Sequence, residues 1–300
     1  MNQPTSFRRN LLPNFRAMLL LGGALMASPV LAQDDHDDHD GHDHTGHDHK
    51  HHPAGHHGDT HAGHAHPGIE LSHPIIVESP LPETKLKLNY GFGKGGEGTA
   101  NVFEAEGEYA FTQNFSIEAV VPYVFVNPEE GSNENGLDNV VLAAKFASYR
   151  WVDQRFLPAI GLEVALPTGD DDKGIGSDHV VELEPFIRVG AWREKFEVIG
   201  TFAVGIPLNQ TSEEKDEEDF EIAVGGSFLY HFTPRLQGLL EVTGEHVAGE
   251  EDETAFYLSP GVTFQPFTDP SISFGVGATL PITDDRDFDF AVNAMCIIHF

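Results

Sequence analysis

The sequence predicts an all-β fold, a transmembrane antiparallel β-barrel of about twelve strands preceded by a disordered His/Asp-rich segment. Three observations carry this. Two-faced segments of strand length recur from residue 84 to the carboxy terminus. Long acidic connections alternate with short turns. The chain ends on Phe300, at the close of a strand whose one face reads Phe290, Val292, Ala294, Cys296, Ile298, Phe300.

At the amino end, Arg8, Arg9 and Arg16 precede the apolar run Ala17 to Ala27, and Val30-Leu31-Ala32 has the residues a signal peptidase reads. Residues 1–32 are therefore expected to be a signal peptide, and the mature chain to begin at Gln33. Cys296, the only cysteine, has no partner in the chain for a disulfide. The net charge of −31 makes nucleic acid an unsuitable partner, because phosphate binding needs Lys and Arg, and makes cations the natural counterparts.

Residues 33–80 form the second expected region. To Gly68 it is almost wholly His, Asp, Gly, Ala and Pro, with no large apolar side chains for a core, so it is expected to be disordered without metal. Its histidines are His36, His39, His42, His44, His47, His49, His51, His52, His56, His57, His61, His64 and His66, interleaved with Asp34, Asp35, Asp37, Asp38, Asp40, Asp43 and Asp48. Neutral imidazole binds zinc, nickel, cobalt and copper, and a flexible chain can gather several onto one ion. These thirteen histidines are the expected ligands of a divalent transition metal, with no other cofactor required. A pH-responsive polar spacer is the alternative, but drift toward a spacer would supply Ser, Gln and Lys as readily as His.

Residues 81–300 are the expected barrel. Strands are read near 84–92, 101–111, 115–126, 138–149, 157–167, 180–191, 196–207, 219–232, 236–247, 255–265, 271–281 and 288–300. Tilted transmembrane strands need roughly 9 to 11 residues. The connections 93–100, 127–136, 168–178, 208–218, 248–254 and 282–287 are long and polar, while Thr112 to Asn114, Arg193 to Lys195, Thr233 to Arg235 and Thr268 to Pro270 are short. In outer-membrane barrels long loops are extracellular and short turns periplasmic, and an even strand count places both termini in the periplasm. Phe111, Phe115, Tyr149, Trp151, Trp192, Phe196, Tyr230, Phe232, Phe264 and Phe267 crowd the short-turn ends, as an aromatic girdle would. A secreted β-sandwich also alternates along its strands, but gives no reason for the long-short order of connections. The expected location is the outer membrane of a Gram-negative cell, with lipid, lipopolysaccharide and the insertion machinery as partners.

Strand parity assigns faces, because Arg or Lys on the lipid face costs about 2–4 kcal/mol at the midplane. The expected pore-lining acids are Glu104, Glu106, Glu108, Glu118, Glu163, Glu182, Glu184, Glu197, Glu221, Glu241, Glu245 and Asp289. The inward bases are Lys85, Lys87, Lys145 and Arg188. Acids in such excess predict a cation-preferring lumen. His231, His246 and His299 lack an evident matched Ser and carboxylate, so no enzyme is expected.

Gly161-Leu-Glu-Val-Ala-Leu-Pro-Thr-Gly-Asp170, followed by Lys173-Gly174-Ile175-Gly176, resembles a motif of the outer-membrane family labelled meta-pathway phenol-degradation transporters. Gly136-Leu-Asp-Asn-Val140 is similar to the strand that precedes it there. The resemblance covers about 80–300 and implies passage of small organic compounds. The residues themselves favour a channel or component of divalent-metal traffic. A diffusion channel for small aromatic or organic molecules, and a metal-buffering protein anchored by its barrel, are the alternatives.

Overall fold

The structure is a computed structural model that describes residue 69 and residues 71–300, except 97, 212–219, 250–251, 268–270 and 287. The expected signal peptide and the thirteen histidines lie outside the described residues.

The strands are β1 Lys85–Gly95, β2 Gly98–Thr112, β3 Phe115–Pro128, β4 Glu134–Leu137, β5 Val141–Ala147, β6 Phe156–Ala165, β7 Val181–Arg193, β8 Phe196–Leu208, β9 Phe220–Thr233, β10 Leu236–Ala248, β11 Glu253–Phe264, β12 Ile272–Pro281 and β13 Phe290–His299. Every pairing is antiparallel, and β1 bonds to both β2 and β13, so the sheet closes on itself. The short β4 and β5 share the partner β3, against Tyr123–Val126 and Phe115–Val120 respectively. They are one stave interrupted at Asp138–Val140, which makes the barrel twelve-stranded.

Period-two alternation sends large apolar side chains such as Phe103, Tyr109, Ile160, Ile187, Phe228 and Leu240 outward, where they are exposed. Their neighbours point into the lumen. An apolar belt around a closed sheet with no free edge is the arrangement a hydrocarbon layer demands of strands. At the short-turn end, outward rings meet in pairs, Phe111 with Phe115 and Phe196 with Tyr230, at 6.0 and 5.0 Å between centroids. Two residues expected in that girdle are elsewhere. Trp192 is in phase with the inward positions of β7 and is buried inside, and Tyr149, in a 3-10 turn before β6, packs on the same inner cluster.

The connection expected as a long loop at 93–100 is a tight hairpin, because the ladder continues to Gly95 opposite Gly98. Gly98 has φ +143°, and a Cβ there would overlap the Asn127 carbonyl, so glycine is required. The remaining long connections are at the same end.

The main departure from expectation is within residues 71–80, assigned from sequence to the disordered segment. Residues 71–82 run inside the barrel. Leu71, Pro74, Ile75, Ile76, Val77, Glu78, Ser79, Pro80 and Leu81 are buried, and their apolar members share one cluster with Leu157, Phe186, Trp192, Ile199, Leu229, Leu239 and Ile297. Glycines on the inner wall make the room. A Cβ on Gly190 would lie 2.5 Å from Leu71, and one on Gly261 2.7 Å from Ile75. The physical reason is that inward apolar residues near the short turns cannot face water cheaply, and this segment carries the apolar side chains that cover them.

Candidate functional site

The inward side chains divide the lumen into two zones. Nearer the short turns, register places Lys85 opposite Glu108 and Lys87 opposite Glu106 between β1 and β2, and Glu108 opposite Glu118 between β2 and β3. Lys85 Nζ lies 2.9 Å from Glu106, 3.3 Å from Glu108 and 3.3 Å from Glu78 of the inner segment. Lys87 also pairs with Glu78, and Lys145 Nζ is 2.9 Å from Glu108 and donates to Ser79 O at 3.3 Å. Burial by itself would raise the Glu78 carboxyl, but Lys85, Lys87 and Arg188 hold it well below the usual carboxylate range.

Two further wall acids grip the backbone of the same segment. Glu241 accepts hydrogen bonds from the amides of Ile75, Ile76 and Val77 at 3.2, 3.1 and 2.8 Å. Glu197 accepts from Ser72 N and Oγ at 2.6 and 2.9 Å and also contacts His231, while Gln237 Nε2 donates to Ser72 Oγ at 2.8 Å. A charged acceptor strengthens each of these bonds. Apolar burial contributes roughly 1.5–3 kcal/mol per full side chain, opposed by roughly 1–2 kcal/mol for each residue whose backbone is fixed. The polar grips therefore decide whether the segment stays docked. Glu197 and Glu241, expected to line a pore, are anchors of its filling.

Nearer the long loops the wall stays acidic. Glu163 faces Glu184 across β6 and β7, Glu182, Glu221 and Glu245 are buried at similar height, and Glu104 is half-buried, accepting from Asn89 Nδ2 at 2.6 Å. Among the inward bases, Arg188 approaches Glu163. Its Nη2 is 3.8 Å from Glu163 and its guanidinium stacks 4.3 Å from the Phe186 ring centre. One buried oxygen each of Glu118 and Glu163 lacks a hydrogen-bond partner among the described residues.

Asp289 departs from its expected place. β13 begins at Phe290, so Asp289 belongs to the preceding connection, where it is exposed and 3.2 Å from Arg286. Phe288 takes the inward position and stacks on Tyr257 with centroids 5.0 Å apart.

The Pro-Thr-Gly-Asp and Gly-Ile-Gly motifs build a loop clasp. Thr168 Oγ1 accepts from Val140 N at 2.8 Å and donates to Asp138 O at 3.0 Å. Gly169 N donates to Ser177 O at 3.0 Å, and Ser177 N donates to Asn139 Oδ1 at 2.8 Å. Gly176 has φ +63° with Asp138 and Asn139 closing off any Cβ. The clasp drives Ile175 against inward Val102, Val124 and Val126. Its residues hold a loop over the lumen.

Ser177, His179 and Asp171 meet in that loop, but Ser177 Oγ at 3.4 Å and Asp171 at 2.9 Å both address the same ring nitrogen, Nδ1. A proton relay needs the two ring nitrogens between its partners, so this is not a catalytic set. At the opposite end, His73, Glu83 and His299 converge, with potential ligand atoms within 4.8 Å of one another. Sequence reasoning passed over His73 and Glu83, and weighed His299 only as a catalytic residue. The available signal was the inward parity of His299.

Solved structures share this architecture. An outer membrane channel from Pseudomonas putida F1 superposes with a TM-score of 0.59 at 11% identity, covering 74% of this chain and 97% of the other. The NanC porin superposes with a TM-score of 0.52 at 9% identity, covering 72% and 98%. At these identities the likeness is one of fold. No curated protein matches the sequence. The family described as putative MetA-pathway of phenol degradation matches residues 81–292, most of the barrel, and the chain belongs to that family.

Proposed function

We propose that the protein is a non-enzymatic outer-membrane channel that prefers cations and serves divalent-metal traffic, its short-turn end and His/Asp tract facing the periplasm. In this reading residues 1–32 are an export signal, the tract from Gln33 to Gly68 collects zinc, nickel, cobalt or copper, and lipid and lipopolysaccharide surround the barrel. The observation that carries the ionic preference is the excess, among the described residues, of the buried acids Glu163, Glu182, Glu184, Glu221 and Glu245 over the base Arg188 in the zone near the long loops. A wall of like charge at low dielectric attracts counter-ions and repels co-ions. Transport through the other zone requires the inner segment to move, so the resting conductance is expected to be low.

The test is reversal potential across a planar bilayer under a salt gradient, with the refolded mature protein, before and after zinc is added. A cation-selective current that zinc alters supports the reading. Anion-selective current overturns it, and complete absence of current, with zinc still bound, makes the barrel an anchor for a metal-buffering tract. A second reading, passage of small aromatic compounds, is favoured by the Tyr257–Phe288 stack near the long-loop end and by the family description. Block of the current by a soluble aromatic compound, relieved by Phe288→Ala, would distinguish it.

A further inference from the structure

We propose that His73, Glu83 and His299 form a seat for one divalent transition-metal ion, separate from the histidine tract, that fastens the inner segment to the last strand. Two imidazoles and a carboxylate are the ligand set of several three-residue zinc sites that keep a fourth position open. Their borderline donors suit zinc, cobalt, nickel and copper over magnesium or calcium, which take oxygen ligands. His73 Nε2 lies 2.9 Å from Glu83 Oε2, and the His73 and His299 ring centres are 5.1 Å apart.

Each ligand is positioned by bonds of its own backbone or of its neighbours. His73 lies between Ser72, gripped by Glu197, and Ile75, gripped by Glu241. Glu83 N donates to Glu108 at 3.2 Å, and the adjacent Thr84 carbonyl accepts from Phe300 N at 3.1 Å. His299 N donates to Ser271 O at 2.8 Å, with Lys85 opposite it on β1. Two ligands from the chain before β1 and one from the last strand are thus brought together by bonds the ion does not make, which lowers the ordering cost of binding it. Their side chains are half-buried, so an ion can enter from the short-turn end. In the sequence His66, the last tract histidine, is seven residues upstream of His73. The assignment extends the metal-traffic reading but does not depend on conduction.

The test uses the full mature chain with the thirteen tract histidines changed to Asn, refolded in detergent and titrated with Co²⁺ alone, following its visible absorption, then with Zn²⁺ in competition. One ion per chain is expected. His73→Asn, Glu83→Gln and His299→Asn should each weaken binding by about tenfold or more, since even outer-shell changes cost about 10- to 100-fold at such sites. His246→Asn, near the opposite end of the barrel, should leave it unchanged. Barrel folding is checked by the heat-dependent shift on gels, and His73 and Glu83, which are not on a strand, supply variants that spare the barrel wall. Binding of no stoichiometric ion, or equal affinity in all four variants, overturns the assignment. If the unaltered tract still binds metal in that case, metal capture stands and only this seat falls. One ion bound by a barrel without cation selectivity would have the reverse meaning.

Discussion

The two zones of the lumen contain similar numbers of acids and use them differently. Near the short turns, Glu106 and Glu108 are met by Lys85, Lys87 and Lys145, and Glu197 and Glu241 are spent on the backbone of residues 72–77. Near the long loops, Glu163, Glu182, Glu184, Glu221 and Glu245 are buried in the wall, and Arg188 lies 3.8 Å from Glu163. The same residue type is structural where it meets lysines or the inner segment, and sets the charge of the wall where acids face one another. What an inward glutamate does depends on what fills the space in front of it.

The largest effect should come from removing the filling. Deleting residues 69–82 is expected to raise single-channel conductance by about tenfold or more, since a packed constriction becomes an open one. Unchanged conductance would show that the current never passes the short-turn zone. Next, Glu241→Ala leaves the buried amides of Ile75, Ile76 and Val77 without their acceptor, at a cost of about 1–3 kcal/mol for each orphaned donor. Hydrogen exchange at these amides should quicken strongly while exchange in the strands stays slow.

The double change Glu163→Gln and Glu184→Gln should reduce cation selectivity, moving the reversal potential toward zero without releasing the inner segment. If it released the segment instead, the division into two zones would fail.

pH sharpens the same contrast. Glu78 has a docked-state pKa held below its ordinary value of 4.5 by Lys85 and Lys87 against the effect of burial. Its contribution to docking is therefore fully present above that ordinary value and is lost as pH falls through the lower, docked one. Protection of Ile75–Val77 measured by exchange should be flat from pH 7 to about pH 5 with respect to this group, and decline only in stronger acid. The smallest effect is assigned to Asp289→Asn. Its carboxylate is exposed beside Arg286, so selectivity should not change measurably in the same reversal-potential experiment.

Much of the wall was legible from the residues. The segment read at 196–207 is Phe196–Leu208, and that read at 236–247 is Leu236–Ala248. Strands between lipid and lumen must alternate at every position, because a charge facing hydrocarbon is costly, so parity alone put Glu106, Glu163 and Glu241 inside. Errors arose where a residue sat beyond the ladder, as with Asp289, or where the inner surface was itself apolar, as with Trp192. A reader alert to Leu157, Ile199, Leu229 and Ile297 in inward phase could have asked what covers them.

By itself the sequence determined the twelve staves, their faces and their acidic interior, since these follow from local period and from the cost of charge in lipid. Only the tertiary structure decided that residues 71–82 belong inside, because a segment outside any strand or helix has no period of its own and its partners are remote. Ser72 meets Glu197 across 125 residues and Ile76 meets Glu241 across 165. Contacts of that span exist only once the barrel has closed and set the width of the space to be filled.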